Sequence, residues 1–558
     1  MQQVNWKAAY LTWVAAVALK ICMVAAYRST DFEVHRNWFA ITASLPLSRW
    51  YYEETSQWTL DYPPLFAWFQ RGLGLLAPLF DEKLLIISAD PYESAATILF
   101  QRLTVIGTEV MLLIAALSFA RSREESAKGS SSGAAVAMLL ALNAGIFITD
   151  HVHFQYNGFL LGVLMLSAIK INNGQHLTGA LLFCILLNMK HLFLALGPAY
   201  FVYLLRFHCL HPHKTCWNTH CAISGFAARF SVLGVVVIGI FAITWAPFVL
   251  AGGLPALQQI FKRLFPFGRG LCHAYWAPNV WVLYNVVDMV MVKALGSRGR
   301  ATSTSASASS MTAGLVQDSR HVWLPHISPL SCAVLSLCAM MPGLVHVWRH
   351  AAPSSPHPRT NTTTDKPTQP HVCYRLASNS SAQRPCMIHL IGLCSLAAFL
   401  FGYHVHEKAL LHAAIPMLFV ARRSQDHAEL YKFLANVTHC QLLPLLFRRQ
   451  EWVLKMLLWW LDASLARLFL PPPPPPPSTA LPNRLLHNLK YLYQIGLVVL
   501  PEVVEVMVAV LLPRLSFLPL LFRSAYCLPG VIYSFVEALR LFLLTPPTPE
   551  TQYEHSHK

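Results

Sequence analysis

The sequence predicts an all-α, polytopic membrane protein, and three observations support this fold class. Of its 558 residues, 55% are apolar and only 12% are charged, which is about half the charged share of an average soluble domain. Apolar runs long enough to cross a bilayer follow one another along most of the chain. Because backbone hydrogen bonds must be satisfied within lipid, these runs are expected to form helices. The composition excludes intrinsic disorder as the main state and argues against a water-soluble enzyme.

The positive net charge fits membrane topology better than nucleic-acid binding. The chain has 42 Lys and Arg against 26 Asp and Glu, a net charge of +16. No polar segment combines a basic run with interleaved aromatic residues, as a nucleic-acid site would. Lys and Arg collect instead in cytoplasmic loops of membrane proteins. Residues 28–96 are the exception, with nine acidic and five basic residues and a net charge of −4.

The order of the apolar runs places the acidic stretch on the side opposite the cytoplasm. The first run, residues 8–27, is interpreted as a signal anchor, because no small-residue cleavage site and soluble domain follow it. The next, residues 99–120, ends at Arg121 and Arg123, which predicts a cytoplasmic end. In total we expect about 12 to 15 crossings. The further runs lie near residues 133–149, 157–169, 176–189, 191–205, 229–250, 280–293, 328–347, 387–402, 409–421, 431–447, 456–470, 491–512 and 515–544.

Two halves are predicted. Residues 1–290 form a membrane-embedded catalytic half that contains the far-side loop 28–96. Residues 291–558 form a second transmembrane half with linkers at 297–325, 350–385 and 471–484, the last of which contains seven consecutive prolines. The segment 280–293, with Asp288 inside it, is the one least expected to cross fully. A His- and Cys-containing tract at 208–221 matches no standard zinc-finger spacing, so metal binding there is not favoured.

The loop after the first helix combines carboxylates with aromatic rings. Asp31, Glu33 and Arg36 are followed by Asp61 and Tyr62, with several Trp and Tyr residues between them. One interpretation is an aromatic belt at the membrane interface with a solvated charged face. The other is a carbohydrate site, in which aromatic faces stack on sugar rings and a carboxylate accepts a hydroxyl proton. Composition alone leaves these two readings about equally balanced.

Three further polar segments lie at the ends of apolar runs. His404, His406, Glu407 and Lys408 could be residues that reach toward the membrane interface, or an anion site in which Lys408 and a His neutralise a phosphate. Arg269 stands between two glycines and could bind a phosphate bidentately. Residues 150–158 form a polar loop predicted on the same face. For this loop and for the Arg269 segment, the simpler reading is a turn between helices.

Four of these segments together resemble one family. Residues 30–38 (TDFEVHRNW), 60–64 (LDYPP), 268–271 (GRGL) with 277–279 (APN), and 404–409 (HVHEKA) occur in this order. The chain resembles the endoplasmic-reticulum glucosyltransferases of N-glycan precursor assembly that use dolichyl phosphate glucose. Within that family, Phe32, His35 and the run 272–279 favour the branch that adds the second glucose.

The resemblance implies a GT-C glycosyltransferase fold with the active site at the luminal face of the endoplasmic-reticulum membrane. It implies an inverting α-1,3 transfer from dolichyl phosphate glucose to the monoglucosylated, dolichyl-pyrophosphate-linked oligosaccharide, with no cofactor and no metal. Asp31 would be the general base and Asp61 a supporting carboxylate. The implied substrate-binding residues are Glu33, Arg36, Tyr62, Arg269, His404, His406, Glu407 and Lys408.

Three alternatives stay open at this point. The enzyme could add the first glucose instead of the second. A transporter would also have about a dozen helices and buried charges, although it should show internal repeats and charges near the bilayer midplane. Asp31 and Glu33 could together bind a divalent cation, which is less favoured because the family is thought to work without metal.

Overall fold

The computed structural model describes residues 5–122, 131–210, 219–265, 270–272, 277–295, 321–349, 384–446, 448–473 and 481–544. The α-helices of eight or more residues in this part of the chain are α1 Trp6–Cys22, α2 Thr30–Ser44, α3 Pro64–Gly74, α4 Ala95–Thr108, α5 Val110–Ala120, α6 Ser131–Ala141, α7 Asn157–Asn172, α8 His176–Met189, α9 Gly197–Leu204, α10 Thr219–Leu264, α11 Val280–Leu295, α12 Pro329–Arg349, α13 Met387–Phe401, α14 Leu411–Val420, α15 Gln425–Leu442, α16 Trp452–Phe469, α17 Leu481–Leu511 and α18 Leu518–Leu544.

Many of these helices can cross a membrane, as the composition predicts. Among the described residues, seven are long and apolar enough: Ala95–Ala120, Gly133–Val152, His191–Cys209, Ile223–Leu264, Pro329–Arg349, Asn488–Leu511 and Leu518–Leu544. Three shorter apolar helices are Asn157–Asn172, His176–Met189 and Met387–Phe401. The protein is therefore all-α and polytopic. The larger number of about 12 to 15 crossings stays a prediction.

Two helices that are apolar around almost their whole circumference form the centre of the molecule. Helix α7 packs between α5 and α8, and α13 packs against α12, α14 and α18. The two central helices also contact each other, and nearly all of their residues are buried. A helix that is apolar on all sides is stable only when it is surrounded. The two predicted halves therefore pack against each other through their most buried helices.

A buried carboxylate fastens the second half to a short helix of the first. Asp462, on α16, accepts hydrogen bonds from Asn143 Nδ2 and Ala144 N, both at 3.2 Å. His439 lies beside it, with Nδ1 at 3.7 Å. Asn143 and Asp462 thus satisfy the first N–H groups of the helix Ala144–Ile146, which otherwise would have no intrahelical partner. This helix continues as a π-helix over Phe147–Val152. π-Helices are rare in proteins, and those that occur are often found at functional sites.

Helix α10 contains one sharp bend. Gly253 has φ 67° and ψ −166°, a backbone conformation outside the helical region, and Pro255 follows two residues later. Only glycine adopts such angles without steric cost. The bend lets the end of α10 turn toward the loop 28–96, where Gln259 Nε2 and Arg263 Nε both donate to the Tyr51 carbonyl, at 3.0 and 3.1 Å.

Asp288 holds a returning segment against α11. Its carboxylate accepts hydrogen bonds from the backbone N–H groups of Val322, Trp323 and Leu324, at 2.9–3.1 Å. A carboxylate with three backbone donors is well satisfied without water. The acid that looked out of place in an apolar run is therefore a structural anchor. The predicted linkers 297–325, 350–385 and 471–484 lie largely outside the described residues.

Candidate active site

Asp31 occupies the first turn of α2, and its position is fixed by the residue before that helix. Ser29 caps α2, with its hydroxyl oxygen accepting from Asp31 N at 3.2 Å. The Ser29 amide and hydroxyl both donate to the carbonyl of His153, so the start of α2 is attached to the polar loop 150–158. The Asp31 side chain keeps 27% of its surface exposed. A carboxylate in this position also interacts favourably with the helix dipole.

Three nitrogen atoms surround one oxygen of the Asp31 carboxylate. Gln155 Nε2 donates to Oδ2 at 2.7 Å, and Lys408 Nζ donates to the same oxygen at 3.2 Å. His153 Nε2 lies 3.3 Å from Oδ2 and 3.0 Å from Lys408 Nζ. Within the described part of the chain, no hydrogen-bond donor contacts Oδ1. One oxygen is thus held in place, and the other is available to a bound molecule.

These neighbours keep Asp31 ionised. Burial by itself raises the pKa of Asp31, but the Lys408 ammonium and the hydrogen bonds from His153 and Gln155 outweigh it and hold this pKa well below the usual range. Burial lowers the pKa of His153, and the positive charge of Lys408 lowers it further, so the imidazole is neutral near pH 7. Asp31 therefore carries its negative charge and can accept a proton.

The polar loop after the π-helix presents His153 and Gln155 to Asp31. Phe154, between them, has φ 86°, a value that is uncommon for a residue with a side chain and typical of strained functional sites. Asn157 Nδ2 donates to Gln155 Oε1 at 2.8 Å and to Asp150 Oδ1 at 2.9 Å. The Gln155 amide is thereby oriented so that its NH₂ group faces the Asp31 carboxylate.

A buried ionic network lies behind this loop. Glu109 accepts from Lys20 Nζ at 2.8 and 2.7 Å on its two oxygens. His151, on the π-helix, contacts Glu109 Oε2 through Nε2 at 2.6 Å. Lys20 and Glu109 are each 2% exposed, so removing one partner would leave an uncompensated charge in the interior. The network connects α1 and the α4–α5 junction to the π-helix.

Sequence reasoning identified Asp31 and Lys408 as site residues, and the structure brings them together. His153, Gln155 and Lys190 were missed as site residues. Lys190 is an extended residue between α8 and the 3₁₀ turn His191–Leu196, and it is 6% exposed. Its ammonium nitrogen lies 5.4 Å from the centre of the Tyr62 ring. A lysine between two apolar runs is a signal that could have found it, because such a charge is costly in a membrane protein.

Glu33 and Arg36 pair with each other and are not directed at Asp31. Arg36 is fully buried; its Nε lies 2.8 Å and its Nη2 2.6 Å from Glu33 Oε1. Its remaining donor, Nη1, contacts the carbonyls of Leu84 and Ile86. Glu33 also accepts from Tyr92 N at 3.2 Å. The geometry assigns this pair to holding the loop 84–92 against α2, and it does not support the expectation that Arg36 binds a phosphate.

Tyr62 belongs to a group of packed aromatic rings beside Asp31. Its ring lies 4.9 Å from that of Trp38 and 4.8 Å from that of Phe66, and His35 packs edge-on at 6.4 Å. Burial lowers the pKa of His35 to about 3, so this imidazole is neutral and Gln70 can donate to its Nδ1 at 3.1 Å. Neutral rings of this kind can shape a sugar-binding surface. Asp61 precedes Tyr62 and is half-buried.

Contacts made by the residues just before Lys408 fix the position of this lysine. His404 has φ 51°, and its Nδ1 lies 2.7 Å from the carbonyl oxygen of Gly270. The His406 ring packs edge-to-face on that of His404, 5.7 Å away. Glu407 is buried, and burial raises the pKa of its carboxyl group. Arg269, which the sequence proposes as a phosphate ligand, lies outside the described residues.

No group of three or more His, Cys, Asp or Glu side chains among the described residues could hold a metal ion. The proposed pairing of Asp31 with Glu33 around a cation would also require Glu33 to leave Arg36. Both carboxylates already have cationic partners of their own. The absence of a metal stays a prediction.

The structure combines a multi-span helical fold with an ionised carboxylate beside aromatic rings, an arrangement that fits a membrane-embedded transferase. Comparison with known families makes this specific. The sequence pattern of the ALG6, ALG8 glycosyltransferase family matches residues 16–538, and the chain belongs to this family. The membership confirms the predicted GT-C glycosyltransferase class and excludes the transporter alternative.

Relatives from distant eukaryotes match over nearly their whole length. A mouse protein is 39% identical over 543 residues, which cover 94% of each chain. A protein of Arabidopsis thaliana is 38% identical over 96% of this chain and 98% of its own. One of Neurospora crassa is 38% identical over 94% of this chain and 96% of its own. All three are named dolichyl pyrophosphate Glc1Man9GlcNAc2 alpha-1,3-glucosyltransferase.

Proposed function

We propose that this chain transfers a glucose from dolichyl phosphate glucose to the monoglucosylated, dolichyl-pyrophosphate-linked oligosaccharide, in α-1,3 linkage and with inversion. The relatives' names support the acceptor and the linkage, and they favour the second glucose over the first. The donor, the location in the endoplasmic-reticulum membrane, the luminal active site and the absence of a cofactor are parts of the same proposal.

The arrangement of donors around Asp31 supports this function most directly. Three nitrogens hold Oδ2, while Oδ1 has no hydrogen-bond donor among the described residues. A general base needs an ionised carboxylate with one oxygen that can reach the hydroxyl proton of the acceptor. The low pKa of Asp31 keeps the base ready at neutral pH. Its weak basicity is sufficient, because the leaving group is a phosphate and the sugar carbon develops positive charge before the proton moves.

The proposed reaction is a single displacement. The acceptor hydroxyl oxygen forms a bond to C1 of the donor glucose while its proton passes to Asp31 Oδ1. The bond from C1 to the phosphate oxygen breaks, and its electron pair leaves with dolichyl phosphate. Positively charged side chains near the leaving oxygen would stabilise the growing negative charge. The ring of Tyr62, which is partly exposed and packs on the buried Trp38, is suited to contact a sugar face.

The other proposed ligands have different degrees of support. Lys408 contacts the base itself, so its charge acts on Asp31 first. Asp61 lies next to Tyr62 and would orient the acceptor. His406 and Glu407 adjoin Lys408 in the chain and remain proposed substrate contacts, as does Arg269.

The purified protein, reconstituted in lipid nanodiscs with synthetic dolichyl phosphate glucose, tests the proposal. Two acceptors are compared, one without glucose and one carrying a single glucose. We expect transfer to the monoglucosylated acceptor only. Asp31→Asn keeps the size and most hydrogen bonds of the side chain but removes the base, and transfer should fall by about 10²–10⁴-fold. Near-normal transfer by this variant would remove Asp31 as base, and preference for the non-glucosylated acceptor would overturn the second-glucose assignment.

A further inference from the structure

Lys190 differs from the other buried lysines of the described structure. Lys20, Lys190 and Lys455 are 2%, 6% and 4% exposed. Lys20 pairs with Glu109 at 2.7 Å, and Lys455 pairs with Glu502 at 3.1 Å. Among the described residues, Lys190 forms no ion pair, and its only close partner is the face of Tyr62. A buried ammonium without a carboxylate in ion-pair contact is costly, and the more distant carboxylates only partly offset this cost, since the pKa of Lys190 stays lowered. Its retention here therefore requires another explanation.

The surroundings of Lys190 place it at the active site. It interacts electrostatically with Asp31, Asp61, Asp150 and Lys408. Burial lowers its pKa to about 8, and the neighbouring Lys408 charge contributes to the lowering while the three carboxylates oppose it. An anion bound beside Lys190 would reverse this effect and restore the full positive charge.

Lys408 is already engaged, which leaves Lys190 as an available buried cation near Asp31 in the part of the chain that the structure describes. The Lys408 ammonium contacts both Asp31 Oδ2 and His153 Nε2. Moving it to a phosphate would release the base from its partner and change the basicity of Asp31. Arg36, another buried cation of this region, directs its donors to Glu33 and two carbonyls. The buried Arg102 donates to the carbonyls of Tyr27 and Val152. Lys190 can accept an anion without breaking any of these contacts.

We propose that Lys190 binds the phosphate of the lipid-linked sugar donor and stabilises it as the leaving group. This inference rests on the proposed function. The pyrophosphate of the acceptor stands at the opposite end of its oligosaccharide from the hydroxyl that reacts, so the phosphate that must approach Asp31 is that of the donor. The donor phosphate carries one negative charge, and the departing dolichyl phosphate carries up to two. A preorganised ammonium therefore stabilises the transition state more than the bound donor.

Tyr62 gives this ammonium a defined position. The cation lies over the ring at 5.4 Å from its centre, a distance typical of cation–π contacts. Tyr62 also packs on Trp38 and Phe66, which restricts its own movement. The same ring that orients Lys190 thus borders the surface proposed for the sugar, so the phosphate and the glucose of one donor molecule can be held together.

The test compares Lys190→Met, Lys190→Arg and the matched control Lys170→Met, which removes a lysine from the last turn of α7, outside the site. All are assayed as full-length protein in nanodiscs, with thermal unfolding as the check on folding. Four quantities are measured: kcat, KM for dolichyl phosphate glucose, KM for the acceptor, and the inhibition constant of the product dolichyl phosphate.

For Lys190→Met we expect the inhibition constant of dolichyl phosphate to rise by about 10- to 100-fold and kcat to fall by a similar factor, as for loss of a charge-assisted hydrogen bond. The acceptor KM should change less than about twofold, Lys190→Arg should recover part of the loss, and Lys170→Met should match the unmodified protein. Unchanged product inhibition in folded Lys190→Met, or an effect on the acceptor KM alone, overturns the inference.

The result also separates this inference from the proposed function. If the unmodified protein does not use dolichyl phosphate glucose, the proposed function fails regardless of Lys190. If the unmodified protein transfers glucose from this donor and Lys190→Met behaves in the same way, only the role of Lys190 is wrong.

Discussion

Lys408 Nζ lies 3.2 Å from Asp31 Oδ2, although the two residues are 377 positions apart in the chain. Asp31 begins α2 in the first predicted half, and Lys408 follows α13 in the second. The packing of α7 against α13 joins the two predicted halves that carry these residues. The proposed base and its counter-ion therefore come from both predicted halves, and neither half alone contains the complete proposed site.

The acidic side of the pH profile should depend on Lys408. In the unmodified protein the Lys408 charge holds the pKa of Asp31 well below its usual range, so Asp31 loses its negative charge only at strongly acidic pH. Without that charge, the effect of burial is opposed less and the pKa rises. In Lys408→Met we therefore expect the acidic limb of kcat/KM to move to higher pH, and transfer at pH 7 to fall about 10-fold.

Lys432→Met is the matched control for this change. Lys432 also pairs with a carboxylate, that of Glu429 at 3.0 Å, but away from the site. Its pH profile should coincide with that of the unmodified protein. An acidic limb that stays in place in Lys408→Met would show that Lys408 does not set the pKa of the base.

Gln155 should act through the orientation of Asp31. Its amide donates to Oδ2 at 2.7 Å and is itself oriented by Asn157. Gln155→Leu removes a hydrogen bond to a charged group, so kcat should fall about 10-fold. Gln155→Glu should be more severe, because a second negative charge beside Asp31 raises its pKa and moves the acidic limb upward.

The exposed Gln175 supplies the control, since Gln175→Leu lies outside the site and should leave kcat unchanged. A Gln155→Glu variant with the pH profile of the unmodified protein would contradict a role in tuning Asp31. If the Gln155 variants lower the unfolding temperature but leave kcat unchanged, Gln155 contributes to the stability of the fold only.

Asp31 and Lys408 could be found from the sequence because charged residues at the ends of apolar runs are rare and costly. The polar loop 150–158 that contains their partners is also visible in the sequence, but which of its residues turn toward Asp31 is not. His153 and Gln155 are adjacent to Phe154, whose positive φ turns both toward one carboxylate, and no local pattern predicts that turn. For Arg36, the sequence shows the charge but not that Glu33 and two backbone carbonyls accept its hydrogen bonds.

The fold class followed from composition alone, because a chain with few charges and many apolar runs has few alternatives. The packing that joins α7 to α13 did not follow, because buried helices are apolar on every face and carry no periodic signal for their neighbours. Asp288 illustrates the same limit. Its position in an apolar run was visible, whereas its three backbone donors come from a segment more than 30 residues away.

The pair Arg36 and Glu33 should affect stability and not donor affinity. Arg36→Met leaves the Glu33 carboxylate and the carbonyls of Leu84 and Ile86 without their donor. Breaking a buried pair from one side costs about 3–5 kcal/mol, so the unfolding temperature should fall. The double variant Arg36→Met with Glu33→Gln removes the stranded charge and should regain part of the loss. The KM for dolichyl phosphate glucose should change less than twofold in the folded fraction, whereas a direct phosphate ligand would raise it at least 10-fold.

The buried network behind the polar loop should determine how firmly that loop is held. Glu109→Gln leaves the Lys20 ammonium buried without a counter-ion and weakens the 2.6 Å contact to His151. We expect a loss of about 3–5 kcal/mol in stability, measured by thermal or denaturant unfolding in nanodiscs. Lys20→Met combined with Glu109→Gln should be more stable than Glu109→Gln alone, because no unpaired charge remains. Equal stability of the single and double variants would show that the unpaired Lys20 charge has no cost, and it would contradict this prediction. Since His151 and His153 lie on the same turn, kcat should fall together with stability in Glu109→Gln and recover in the double variant.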